Sequence, residues 1–345
     1  MHDVSAVLDR WLAGEGPIAL STVVQTWGSG PRRPGARMTV DASGGIAGSV
    51  SGGCVEGAVV RTAREVLAGG APQLLQFAVA DETAWGVGLS CGGAISVFVE
   101  RPERQVIAAV REAMRARVPV SLAVCVSGEA LGSRAVVTAS GTYGAGEIAA
   151  VGSEALAGGR PLIRDTAVGR VFADVIGPPD SLVLVGGVHI AQALAKLART
   201  VGYRVAICDP RPVFGSRERF PDVALVNDWP ETGFRTIGLD AGTAVATLTH
   251  DPKLDDPALI AALASPAFYV GALGSRRTHA RRLARLGERG VAAADLARIA
   301  APIGLPIGSR TPAQIALSVM AEVVATRNGA ATGRAAAAST ASVGA

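Results

Sequence analysis

The chain has 345 residues, with 33 Lys and Arg against 29 Asp and Glu, for a formal net charge of +4. Hydrophobic residues at 49% and charged residues at 18% exclude a disordered chain, and aromatics at 4% leave little material for base-stacking platforms. The length suits two domains with a core each. The positive charge is almost all arginine interspersed with acids, Lys196 and Lys253 being the only lysines, which reads mostly as compositional bias and gives weak evidence for anionic small ligands rather than nucleic acid.

In chain order, Val4, Val7, Leu8, Trp11 and Leu12 follow helical spacing and predict a helix over 3–14. This start carries acidic residues and no apolar h-region, and no apolar run approaches the about 20 residues needed to cross a bilayer, so the expected location is the cytoplasm, with reduced thiols and no membrane partner. A strand is expected over 18–26. The loop WGSGPRRPGARM follows, crowding Arg32, Arg33 and Arg37 among glycines and prolines. Residues 37–40 and 45–50 read as a hairpin around Ala42-Ser43-Gly44. SGGC then leads into a helix, VEGAVVRTAREVLAGG, with Cys54 at or near its N-terminus. Strands over 73–80 and 94–99 flank the turn GVGLSCGG, which carries Cys91. A helix over 103–117 and a strand over 118–126 come next, and 127–178 reads as short strands with turns. Gly177-Pro178-Pro179-Asp180 marks the expected domain boundary.

From Ser181 apolar strands alternate with helices: SLVLV, a helix near 189–201, YRVAIC, TAVATL, a helix near 256–264, FYVGAL and a helix near 276–288. That alternation predicts a parallel doubly wound sheet. A last helix over 311–326 starts with Thr-Pro, an N-cap and N1 pair, and the tail from Gly329 is expected to be disordered. The predicted class is α/β: an N-terminal α+β domain over 1–178 with cysteine-bearing glycine loops, and a C-terminal Rossmann-like domain over 179–328.

Three segments carry chemistry. After SLVLV, Gly186-Gly187-Val188-His189-Ile190-Ala191 opens a helix and Asp209 ends the next strand, the context of a dinucleotide fingerprint. Val188 stands where glycine lets backbone approach pyrophosphate, and its side chain would obstruct the phosphate. The domain therefore either keeps the fold without using NAD(P) or binds a nucleotide-type ligand. His189 is either a packing residue or a ligand and general acid in the crevice, and Asp209 either bonds a ribose or caps a strand end. Ser275-Arg276-Arg277 offers either a second anion site or surface salt bridges.

Cys54, Cys91, Cys125 and Cys208 form no CxxC and no zinc spacing with the four histidines, so neither a disulfide scaffold nor a local zinc site is indicated. A thiol at a helix N-terminus is activated by the helix dipole, and Gly52 and Gly53 let a ligand approach the backbone. Cys54 thus reads as a reactive or metal- and sulfur-handling thiolate, against the alternative of a small buried residue; Cys91 reads the same way. Glu56 reads as a first-turn acid. The guanidinium forks of PRRPGAR suit phosphate, or form a solvated loop.

Together TVVQTWGSGPRRPGARM, GSVSGGCVEGAVV, GLSCGGAISVFVE, LVLVGGVHIAQALAKLA, YRVAICDPR, YVGALGSRRTHARRL and IGLPIGSRTPAQIALSVMAEVVA resemble the XdhC/CoxI family, accessory proteins of xanthine dehydrogenase-type and carbon monoxide dehydrogenase-type molybdenum hydroxylases. The resemblance runs from about Thr22 to Ala325. It implies a chaperone that binds molybdenum cofactor, protects it during sulfuration and hands it to an apo-hydroxylase, with a cysteine desulfurase as a further partner; self-association into a homo-oligomer, a dimer, is a separate expectation for a two-domain chaperone. Molybdenum cofactor, a molybdopterin with or without a nucleotide extension, joins a soft metal–dithiolene centre to a phosphate. By position, Cys54 and then Cys91 are the implied contacts to molybdenum or its sulfur, and the guanidinium chemistry of Arg32, Arg33 and Arg37 makes them the expected contacts to phosphate. The family's third glycine is replaced by Val188 here. Two other readings stay open: an NAD(P)-dependent oxidoreductase with His189 as proton carrier, and a structural adaptor.

Overall fold

The computed structural model describes residues 1–14, 16–28, 32–77, 93–144 and 146–332. The chain divides into two units, Met1–Pro178 and Pro179–Ala345.

In the first unit a 3-10 turn, His2–Val4, runs into α1 (Ser5–Leu12), and Val4, Leu8 and Trp11 bury the face that the spacing predicts. There follow β1 (Ile18–Trp27), β2 (Arg37–Asp41), β3 (Ile46–Gly48), α2 (Glu56–Leu67), β4 (Gln73–Phe77) and β5 (Ala94–Glu100). After these come α3 (Arg104–Arg115), β6 (Val120–Cys125), β7 (Arg134–Thr138), β8 (Gly141–Tyr143), α4 (Gly146–Gly158), β9 (Leu162–Thr166) and β10 (Gly169–Ile176). The strands form two antiparallel sheets, ordered β3-β2-β1-β5-β4 and β8-β7-β6-β10-β9.

The two orders are the same pattern. Each half of the unit runs helix, three-strand meander, helix, two strands, and each puts its fifth strand beside its first. Nothing in the sequence pattern anticipated this duplication. β1 alternates its faces strictly: Ala19 and Val23 join the cluster under α2 with Val59, Ala63 and Val66, whereas Ile18 and Leu20 join the cluster of α1 and α3. A third cluster, Val24, Phe98, Val124, Val126 and Phe172, draws on strands of both sheets.

One expectation is corrected here. The stretch 127–178 is not strands and turns alone, because Gly146–Gly158 is a helix of thirteen residues. Its glycines argue against helix locally, but Ile148, Val151 and Ala155 lie on one face and pack with Ala123, Ala135 and Val171 of the sheet, and that burial overrides propensity.

The second unit contains β11 (Ser181–Val185), α5 (His189–Thr200), β12 (Arg204–Cys208), β13 (Ala224–Val226), α6 (Pro230–Ile237) and β14 (Thr243–Thr247). It continues with α7 (Pro252–Leu263), β15 (Tyr269–Ala272), α8 (Arg276–Glu288), α9 (Ala293–Leu296), β16 (Ile299–Ala300) and α10 (Pro312–Arg327). All described strands are parallel, ordered β13-β12-β11-β14-β15-β16, the doubly wound arrangement with its switch point between β11 and β14. Along β11, Leu182 and Leu184 face the core shared with α5 and α10, and Val183 and Val185 face the core shared with α7. The helix expected near 256–264 starts earlier, at Pro252. Asp251 accepts a hydrogen bond from the Lys253 amide, and Pro257 is accommodated inside the helix. At α10 the expected Thr-Pro start is a full capping box with Gln314.

Candidate functional site

Cys54 is exposed, two residues before α2, on a loop that a single carboxylate organises. Glu56, the first residue of α2, turns back into the Ser-Gly-Gly segment. Its Oε1 accepts hydrogen bonds from the Ser49 hydroxyl at 2.8 Å and from the amides of Ser51 and Gly52 at 2.8 and 3.0 Å. Its Oε2 accepts from the Gly53 amide at 2.8 Å and from the Ser51 hydroxyl. The Val50 amide adds a longer bond, 3.3 Å, to Oε1. Partial burial pushes the Glu56 carboxyl up, but the hydrogen bonds from Ser51 and Ser49 outweigh it and hold the group down at about 2.

Glu56 is therefore much more than a first-turn acid. It fills the nest of backbone N–H groups with an internal anion and fixes the loop that presents Cys54. The backbone of this nest requires Gly52 and Gly53, whose φ angles are +79° and +123°, and a Cβ at either would point into open space. The signal available in the sequence was the pair of serines at 49 and 51 followed by an acid at the helix start. Of the other described cysteines, Cys125 and Cys208 are buried; burial and the neighbouring Asp209 push the Cys208 thiol up to about 12. Cys91 lies outside the described residues.

The three loop arginines separate. Arg32 and Arg33 line one shallow pocket with Pro34 and Ala36; Arg33 is exposed and Arg32 also pairs with Asp3. Arg37 does not join them, which corrects its expected phosphate role. Only 1% exposed, it donates from Nη1 to Asp174 at 2.6 Å and to the Gly35 carbonyl at 3.0 Å. Gly35 (φ +91°) lies so close to Asp174 that a Cβ there would sit 2.7 Å from a carboxylate oxygen. The Arg37 charge is thus committed inside the unit.

The glycine turn after β11 is occupied by the chain itself. The Gly187 amide donates to Asp209 Oδ2 at 2.8 Å, and the Gly187 carbonyl accepts from Arg219 Nη2 at 2.7 Å. Asp209 is fully buried, and its oxygens also accept from the Arg211 amide at 3.0 Å and from Arg211 Nε and Nη2 at 2.9 and 2.8 Å. Burial pushes this carboxyl up; the bonds from Arg211 and Gly187 override it, and the net shift is downward. A Cβ on Gly187 would lie 2.2 Å from the Phe214 carbonyl oxygen, so the 211–215 backbone covers the turn, with the Arg211 guanidinium 4.1 Å from the centre of the Phe214 ring.

Val188 is not the obstruction its position suggests, because its half-buried side chain packs against the core cluster to which Leu182 and Leu184 belong. What closes the turn to a pyrophosphate is Asp209 on the amide and Phe214 over the glycine. Asp209 caps a strand end and has no oxygen left for a ribose. His189 is exposed at the first position of α5. Gly186, Gly187 and Asp209 therefore come together as a structural lock, and the geometry gives no support to NAD(P). Ser275 caps α8, accepting from the Thr278 amide at 3.1 Å, with Arg276 and Arg277 in the exposed first turn.

Residues 11–78 match the XdhC and CoxI family and residues 182–323 match the XdhC Rossmann domain. The chain is 31% identical over 93% of its length, and 86% of the relative's, to the molybdenum cofactor insertion chaperone PaoD of Escherichia coli. It is 27% identical to a probable xanthine dehydrogenase subunit of Bacillus subtilis, covering 95% of this chain and 98% of the other. A crystal structure named as a xanthine dehydrogenase from Bacillus halodurans superposes with a TM-score of 0.80 over 97% of this chain and 98% of that one, at 24% identity, and so shares its fold. With both of its units matched and a relative of this identity along nearly its whole length, the chain belongs to the XdhC and CoxI family.

Proposed function

We propose that the protein is a molybdenum cofactor chaperone that shields the cofactor during sulfuration and inserts it into a xanthine dehydrogenase-like molybdenum hydroxylase. The observation that carries this reading is the 31% identity, over 93% of the chain, to a molybdenum cofactor insertion chaperone. The donor chemistry of the first unit agrees with it. Among the described residues no three His, Cys, Asp or Glu side chains come together to hold a bare metal ion. A metal that arrives already chelated by a dithiolene needs only one soft donor from the protein, and exposed Cys54 on its preformed loop is such a donor. Cys91 is the second thiol of this proposal. Arg32 and Arg33 take the terminal phosphate through planar, doubly donating guanidinium groups.

In this reading the first unit handles the cargo, and the second, its glycine turn locked by Asp209, serves without a dinucleotide. The partners are the apo-hydroxylase, a cysteine desulfurase that supplies the sulfur, and a second copy of the chain, all in the cytoplasm. The test is whether protein purified from cells making the cofactor carries molybdopterin, read as its fluorescent oxidised pterin, in wild type and in Cys54→Ala. Pterin in wild type and a clear loss in the variant are expected. Absence of pterin from wild type, despite available cofactor, would overturn the carrier role in favour of an adaptor. Undiminished pterin in the variant would remove Cys54 from the site.

A further inference from the structure

The strongest unexplained chemistry outside these loops lies in the second unit, at the carboxyl ends of β14 and β15. A pocket there is lined by His250, Pro252 and Asp255 on one side and by Thr278, Arg281, Arg282 and Arg285 of α8 on the other. Arg282 is 2% exposed. Its Nη2 donates to the Leu273 carbonyl at 2.8 Å and stands 3.8 Å from Asp255 Oδ2, but its Nε and Nη1 are buried with no hydrogen-bond partner. A buried guanidinium with two unpartnered donor nitrogens is costly unless something accepts from them.

The charge around it has one sign in excess. Arg285 is answered by Asp256, with Nε to Oδ2 at 2.8 Å, and Arg282 faces Asp255, whereas Arg281 is exposed on the same helix. Of the first turn of α8, which carries no acid, Thr278 reaches the pocket wall, whereas Arg276 and Arg277 are not among its lining residues. His250, at the pocket wall, holds a left-handed backbone (φ +63°) that non-glycine residues rarely adopt.

We infer that this pocket is a binding site for a dianionic phosphate group, held by Arg282 and Arg281 with His250 at its rim, at the carboxyl ends of β14 and β15 rather than at the glycine turn. The site stands on the geometry of the second unit and does not depend on the cargo proposed for the first.

The full chain is titrated calorimetrically with inorganic phosphate, and in parallel with glycerol 3-phosphate, against sodium chloride of equal ionic strength. Saturable binding of phosphate and not of chloride is expected, weakened about tenfold in Arg281→Ala, the size of one lost charge-assisted hydrogen bond. Tighter binding of glycerol 3-phosphate identifies the ligand class as a phosphomonoester, and tighter inorganic phosphate identifies the free ion. Arg281 is exposed, so its variant folds; His250→Gly, which relieves the backbone strain while deleting the imidazole, provides a second weakened variant. Arg33→Ala keeps wild-type affinity if the site is the one inferred. No saturable binding to wild type, or a loss in Arg33→Ala with Arg281→Ala unchanged, would overturn the inference.

Discussion

The loop that presents Cys54 makes a quantitative prediction through Glu56. Glu56→Gln preserves the shape of the side chain but replaces an acceptor-only carboxylate with an amide, whose NH2 faces donors it cannot accept from. The drop of the carboxyl from its ordinary 4.5 to about 2 sets an upper bound of about 3.4 kcal/mol, at 1.36 kcal/mol per factor of ten in proton affinity. Glu56 is partly open to solvent, and screening lowers the expected contribution to about 2 kcal/mol.

The sign follows from the depressed folded value. The stabilisation is complete above pH 4.5, where the unfolded carboxyl is also ionised, and it is lost as pH falls from there toward 2. Urea unfolding of wild type and Glu56→Gln should therefore differ by about 2 kcal/mol at pH 7 and by less than about 1 kcal/mol at pH 3. Hydrogen exchange resolved to the 49–56 segment locates the effect, with the amides of Ser51, Gly52 and Gly53 losing protection in the variant. A stability difference that is the same at both pH values would refute the reasoning, since it would mean that no ionised acceptor is involved.

Removing one member of the buried Arg37–Asp174 pair leaves an unanswered charge, so Arg37→Met should cost about 3–5 kcal/mol by chemical denaturation, and adding Asp174→Leu should restore most of it. If the double variant is no more stable than the single one, the pair is not the reason for the loss. In a Cys91→Ser background a thiol-reactive disulfide reagent should modify Cys54 rapidly in the native protein, with Cys125 and Cys208 reacting only on unfolding. Fast modification of two thiols in that background would contradict the burial described. Titration with NADH and NADPH should give no saturable signal, because the Gly187 amide already has its acceptor; a saturable one would show that Asp209 yields to a ligand.

Much of this fold was legible because its periodicities are strong. Strand-helix alternation from Ser181 onward identified the parallel sheet, and Thr311-Pro312 marked a helix start that the capping box with Gln314 fulfils. Other features were hidden for physical reasons. Helix α4 owes its existence to the sheet beneath it, so its glycines read as turns until Ile148, Val151 and Ala155 have something to pack on. Glu56 looks like any acid in a first helical turn, because the donors it collects become neighbours only when residues 49–53 curl back over the helix end. Arg37 was grouped with Arg32 and Arg33 by proximity in sequence, while its partner Asp174 is 137 residues away. At the glycine turn the missing third glycine was visible, but the occupant, Asp209 with Phe214 over Gly187, depends on contacts across the β-strand crossover.

The duplicated strand order of the first unit provides a comparison within one chain. In its second half the last two strands, β9 and β10, are joined by Ala167 and Val168 alone. In its first half the corresponding strands, β4 and β5, are joined by residues 78–93, the stretch that includes Cys91. A two-residue connection suffices to join the last two strands of the second half. Because both halves share one strand order, the second serves as a built-in template for shortening the 78–93 connection of the first.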